Sequence, residues 1–199
     1  MFEYPLLVPG GLSLEQQSLY EKITAGPRAN GPFTIVHDDG SLAGPFNALL
    51  FAPGIGNAVQ ELGAALRFHG ALPDRTRELV ICAVAAALNS EYEWYAHSRA
   101  AVVVGVSEEE LVQLQAGTIP TSASEGEAAA LELARELIAE AGVSEHIRSK
   151  AHEHFGPSGL TELTVLVGYY RTLAGLLAVA DVRAPAETAP DRGHSSDQQ

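Results

Sequence analysis

Glu78, Ser90, Glu93 and His97 stand in strongly apolar, helix-patterned sequence, and their types and spacing suit proton transfer. On a helix turning about 100° per residue, Ser90, Glu93 and His97 fall within an arc of roughly 60°, so they are expected to converge on one ligand. A carboxylate four residues before a histidine can accept the proton of one ring nitrogen and fix the tautomer, leaving the other nitrogen for acid–base work. Glu78 lies on the preceding helical stretch, and antiparallel packing across the Asn89-Ser90 turn would bring it to the Glu93–His97 face. The competing reading is an exposed i, i+4 ion pair worth a few tenths of a kcal/mol. A cavity of a few hundred Å³ beside His97 would favour catalysis, and a filled space would favour a structural pair. Trp94 and Tyr95 either wall such a pocket or fill core and subunit interface.

Other reactive types are weaker candidates. Cys82 sits in Leu79-Val-Ile-Cys-Ala-Val, which reads as buried and lacks the basic neighbour of a reactive thiol. His146, His152 and His154 cluster in sequence, but their spacings do not share one helical face, so no metal site is expected. His69, before Gly70, reads as a helix-end residue or a member of the pocket. Phosphate-cradling glycine loops, dinucleotide fingerprints and metalloprotease motifs are absent from the sequence, and a cofactor-independent site is the simplest expectation.

The elements that must position these residues are helical, with apolar residues recurring at three and four and little alternation outside residues 33–37. An all-α fold is predicted, with helices over 14–25, 45–51, 55–68, 74–88, 91–104, a segment capped by Ser107, 124–141, 144–155 and 160–182. Ser13, Ser107 and Ser124 are the predicted N-caps, and Gly105 a predicted C′ residue. Residues 28–44 are rich in Gly, Pro, Asn and Asp and too long for a bare connector, which suggests a lid or pocket wall. Residues 117–123 read as a linker within one domain spanning 1–183, and 184–199 as a disordered tail. Arg77-Glu-Leu-Val-Ile echoes Thr161-Glu-Leu-Thr-Val, and the 19-residue interval from Glu78 to His97 recurs from Glu162 to Asp181. A degenerate internal duplication and chance similarity of two amphipathic helices explain this equally well.

With 46% hydrophobic residues in 199, the chain can bury one substantial core. Its net charge of −13 opposes nucleic acid and anionic membrane, and an anionic substrate would need a local cationic mouth, for which Arg67, Arg75, Arg77 and Arg99 are close in sequence. Residues 40–60 are uncharged, but prolines and glycines interrupt them, so no spanning helix is expected there. The single cysteine and the absence of a secretory pattern give the cytoplasm as the expected location.

Over roughly residues 40–182 the chain resembles the carboxymuconolactone decarboxylase family, which also contains the AhpD-like alkylhydroperoxidases. The resemblance is carried by Asp39-Gly-Ser-Leu-Ala-Gly-Pro-Phe-Asn47, Ala71-Leu-Pro-Asp-Arg-Thr-Arg-Glu-Leu-Val80, Glu91-Tyr-Glu-Trp-Tyr-Ala-His97 and Glu162-Leu-Thr-Val-Leu-Val-Gly-Tyr-Tyr170. It implies an AhpD-like helical bundle that assembles as a homo-oligomer, a trimer or hexamer. AhpD-like members use a Cys-x-x-Cys pair, a motif histidine and a glutamate on the preceding helix. The glutamate matches Glu78 and the histidine His97, whereas the cysteine positions hold Ser90 and Glu93. Dithiol peroxide reduction is therefore disfavoured, and the resemblance implies decarboxylase-type chemistry on a small carboxylated lactone or oxo-acid. In that scheme His97, oriented by Glu93, supplies a proton, Glu78 tunes the charge, Arg75 or Arg77 holds a carboxylate, and Ser90, Trp94 and His69 complete the binding surface. A peroxidase-type oxidoreductase and a non-catalytic oligomeric binding protein are the alternatives.

Overall fold

The computed structural model describes residues 4–26, 34–139 and 142–185. Among them eight helices run in the order α1 (Leu14–Thr24), α2 (Pro45–Leu49), α3 (Pro53–Phe68), α4 (Asp74–Ala87), α5 (Glu91–Val103), α6 (Glu108–Gln115), α7 (Glu125–Ala139) and α8 (Glu145–Val179). The fold is all-α. Its one β-type contact among these residues is the isolated bridge between Val36 and Leu42.

Local chemistry sets most boundaries. Ser13 accepts from Gln16 N while the Gln16 side chain accepts from Ser13 N, a reciprocal cap that starts α1. Ser107 with Glu110, and Ser124 with Glu127, build the same device at α6 and α7. α5 closes on Gly105 at φ 87°, a left-handed position that glycine adopts without steric cost.

Tertiary packing departs from the expected segmentation in two places. Helices 144–155 and 160–182 join into α8, broken at Gly156, where φ is 61° and ψ −174°. Gly156 satisfies the left-handed turn and Pro157 then restarts the helix, so one rod with a break replaces two helices and a loop. Residues 34–44, the described part of the expected lid, are a tucked hairpin in which Ala43 donates to Ile35 and His37 to Ser41. Residues 28–33 and 186–199 of the expected lid and tail lie outside the described residues.

α4 is the central helix. Every residue from Thr76 to Cys82 is buried, because α4 packs against α5, α6, α7 and α8 and exposes little to water. Leu79, Val80 and Ile81 meet Leu131 of α7 and Leu163, Leu166 and Val167 of α8 in the main core. A smaller core under α1 gathers Leu19, Ile23, Leu42, Phe46 and Leu50. α8 is the one described helix long and apolar enough to cross a bilayer, yet its Leu163, Leu166, Val167 and Leu173 pack into the main core. α5 breaks the apolar pattern: its inward face includes Glu93 and His97 among Tyr92, Ala96, Ala100 and Ala101. Ionisable groups at core positions cost stability unless paired, which directs attention to what they meet.

Candidate active site

α4 and α5 form an antiparallel pair joined by Leu88–Ser90, with Asn89 at φ 52° making the turn and Ser90 N donating to Ala85 O at 2.9 Å. This packing lays Glu78 against His97. His97 Nδ1 is 2.7 Å from Glu78 Oε2, with both side chains buried. An ionised carboxylate is acceptor-only, so Nδ1–H is the donor and Nε2 is the nitrogen turned to the other side. There it meets Glu93 Oε2 at 3.5 Å.

The two carboxylates differ in proton affinity. Burial alone would raise Glu78, but His97, with Arg67 and Arg77, outweighs it and holds Glu78 below the usual carboxylate range. For Glu93 burial dominates: His97 pulls downward, the Glu78 charge pushes upward, and the carboxyl is raised to about 6. Two carboxyl groups on one imidazole, with proton affinities driven apart by their surroundings, is the pattern by which acid and base roles are divided. The expected contacts are thus exchanged. Glu78 meets Nδ1 through a tertiary contact, and Glu93, the i, i+4 neighbour, faces Nε2.

His97 and Glu93 line a cleft of about 40 Å³ together with Phe46 of α2, Arg67 of α3, and Tyr169 and Tyr170 of α8. That is room for a water molecule rather than the few hundred Å³ that would favour catalysis, and on that measure the space favours a structural pair, because aromatic rings close over the imidazole. Tyr170 sits edge-on to the His97 ring with centroids 4.9 Å apart, and Tyr169 edge-on to Tyr170 at 5.2 Å. The α2 wall is set by Gly44. Its φ is 61°, and a Cβ there would lie 2.4 Å from the Tyr92 ring, so neither the backbone nor the space admits a side chain.

The other predicted residues are distributed elsewhere. Ser90 does not join Glu93 and His97: as the N-cap of α5 it has extended backbone (φ −83°, ψ 94°), and the helical spacing that grouped them does not apply to it. Ser90 and Trp94 instead line a groove of about 570 Å³ with Tyr95, Ser98 and Arg99, away from the imidazole. Arg75 is structural. Its guanidinium donates to Glu127 at 2.8 Å, Gly105 O at 2.6 Å and Glu110 at 2.5 Å, tying α4 to α6 and α7. Arg77 is buried behind Glu78, with Nε 4.0 Å from Oε1 and a terminal nitrogen donating to Asp74 at 2.8 Å. His69 is exposed at the end of α3, and His146, His152 and His154 are exposed on α8. Cys82 is fully buried, and burial with the Glu78 charge pushes its thiol far up, away from reactivity. The sequence reading did not select Phe46, Tyr169 or Tyr170 for the site. The adjacent tyrosines in an otherwise aliphatic helix were the available signal for the last two.

The family model for carboxymuconolactone decarboxylase matches residues 53–136, from the start of α3 into α7. This family segment includes Arg67, Arg77, Glu78, Glu93 and His97, whereas Phe46, Tyr169 and Tyr170 come from outside it. Curated proteins gave no match.

Solved structures share the fold. An AhpD-core, peroxidase-related protein from Ralstonia eutropha JMP134 superposes with a TM-score of 0.73 at 17% identity, covering 93% of each chain. A protein of unknown function from Agrobacterium tumefaciens, described as a putative antioxidant defence protein AhpD, gives a TM-score of 0.65 at 19% identity over 72% of this chain and 99% of its own. The apo debrominase Bmp8 gives 0.70 at 15% identity over 88% of this chain and 90% of its own. At these identities the likeness is one of fold.

Proposed function

We propose that the chain is a cofactor-independent lyase of carboxymuconolactone decarboxylase type, acting on a small carboxylated lactone or oxo-acid. The observation that carries this reading is His97 between two carboxylates of unequal proton affinity, with Glu78 at 2.7 Å and Glu93 at 3.5 Å, at the wall of a cleft lined by Arg67. In the reaction the carbon–carboxylate bond breaks, carbon dioxide departs, and the electron pair remains on the substrate as an enolate. The Arg67 guanidinium offers a charge for the substrate's carboxylate, in place of Arg75 and Arg77, whose positions serve the fold and Glu78. His97 Nε2, when protonated, delivers its proton to the enolate carbon, Glu78 stabilises the imidazolium through Nδ1, and the Glu93 carboxyl re-protonates Nε2 and takes from solvent the one proton that each turnover consumes. A thiol route is not part of the reading, since the sole cysteine is buried in the core.

A cleft with space for a water molecule requires the substrate to displace part of its wall, and the five-residue α2, bounded by Gly44, is the shortest element there. Small substrates are therefore favoured. Assembly as a homo-oligomer belongs to the same proposal, supported by outward-facing Ile55 (70% exposed), Leu62 and Phe68 on α3. Sedimentation of Ile55→Glu beside the parent chain tests it, with dissociation expected.

The deciding experiment measures carbon dioxide release and solvent deuterium incorporation with 4-carboxymuconolactone and a panel of small oxo-acids, using the parent protein, His97→Ala and Glu93→Gln. Turnover that vanishes in His97→Ala and falls by about 100-fold or more in Glu93→Gln supports the reading. Undiminished turnover in His97→Ala, or none in the parent protein across the panel, overturns it.

A further inference from the structure

Arg77 Nε is buried and has no hydrogen-bond partner among the described residues. Burying a charged donor without a partner is costly, and buried polar groups are nearly always paired with protein or ordered water. Nε lies 4.0 Å from Glu78 Oε1, too far for a direct hydrogen bond and short enough for one water to reach both. The guanidinium's other end is fixed, donating to the exposed Asp74 at 2.8 Å.

We propose that Arg77 is a positioning residue for Glu78, holding Oε1 through one buried water so that Oε2 stays on His97 Nδ1. This deepens the acid–base reading above and rests on it for its functional meaning. The carboxylate is then gripped at both oxygens, by a cation on its own helix and by the imidazole across the interface. Its ionised form is fixed, and with it the tautomer that turns Nε2 toward the cleft. The cation stands 4.0 Å from Oε1 and favours the ionised form of Glu78, leaving the proton on His97 Nδ1. Without it, the buried carboxylate takes the proton from Nδ1 of the imidazolium, leaving a neutral imidazole whose Nε2–H is a far weaker acid. The charged and titratable groups acting on Glu78 are His97 and Glu93 from α5, Arg67 from α3, Tyr170 from α8, and Arg77 and Cys82 from α4 itself. Arg77 acts from Glu78's own helix, with Nε 4.0 Å from Oε1, and Arg67 acts on the same carboxylate from α3.

The test follows the Glu78 carboxyl by carbon-13 NMR through a pH titration of the full chain, in the parent protein, Arg77→Gln and Arg77→Lys. Arg77→Gln is expected to raise the Glu78 midpoint by one pH unit or more. Arg77→Lys, which keeps the charge without Nε, should raise it by less than half as much. An unchanged midpoint in Arg77→Gln overturns the proposal. If that variant does not fold, Arg77→Lys decides, since a midpoint identical to the parent's would show that Nε has no part in holding Glu78. A high-resolution crystal structure of the parent protein should show one water within hydrogen-bond distance of both Nε and Oε1, and its absence would also overturn the bridge. Because these readouts need no turnover, they separate failure of this inference from failure of the lyase reading.

Discussion

Replacing Glu93 with glutamine should stabilise the protein in mild base while disabling it. Glu93 is 4% exposed, and its carboxyl is raised from an ordinary 4.5 to about 6, first by burial and further by the Glu78 charge. A raised folded-state value means that the native protein prefers the protonated form. Relative to the unfolded chain, this preference is fully favourable below about pH 4.5 and is lost as pH rises through about 6. Above that, the native state carries an ionised carboxylate in a dry site, at a cost of about 2 kcal/mol for a shift of about 1.5 units. Glutamine keeps the shape and removes the charge. Glu93→Gln should therefore gain up to about 2 kcal/mol at pH 8, or about 4–8 °C in melting temperature for a chain of this size, with the gain fading toward pH 4.5. Parallel melts of the two proteins at pH 8 and pH 4.5 measure it, alongside the expected fall in turnover. A variant less stable than the parent at pH 8, or a difference independent of pH, would refute the reasoning that places a strained, working carboxyl at this position.

His97→Ala should lose turnover and also destabilise the fold by about 3 kcal/mol at neutral pH, because it leaves the buried Glu78 without its 2.7 Å partner; urea unfolding reads this directly. Glu110 is held down to about 2, where Arg75, Ser122 and Ser107 overcome the effect of burial. Its contribution is present above about pH 4.5 and lost as pH falls through about 2, so Glu110→Gln should cost about 1–3 kcal/mol at pH 7 and flatten acid unfolding, with turnover unchanged. Gly44→Ala should lower the melting temperature through its φ of 61° and its collision with Tyr92, and weaken turnover by shifting the α2 wall.

The helix starts were legible because capping is local: Ser13, Ser107 and Ser124 each bond three residues ahead, inside any reading window. The meeting of Glu78 with His97 was also legible, since two helices joined by a three-residue turn must pack antiparallel. Which carboxylate holds Nδ1 was not, because the tertiary contact at 2.7 Å prevails over the i, i+4 spacing, whose atoms stand at 3.5 Å. Arg75 was misread for a related reason. Its partners Gly105, Glu110 and Glu127 lie 30 to 52 residues away, beyond any helical periodicity. The closing rings of Phe46, Tyr169 and Tyr170 arrive from opposite ends of the chain, so the size of the cleft was a property of the assembled bundle alone.

The α4–α5 pair brings Glu78 and His97 together across 19 residues, whereas the tyrosine that seals them arrives from the far C-terminal helix. Short loops close early and cheaply in a folding chain, so the charged trio can form while still wet, inside a hairpin of two helices. Dehydrating it is left to the docking of α8. The barrier to unfolding is then set partly by how readily water re-enters when that helix lifts, and the ionisable residues act as a brake on the final closure rather than on the first contacts of the chain.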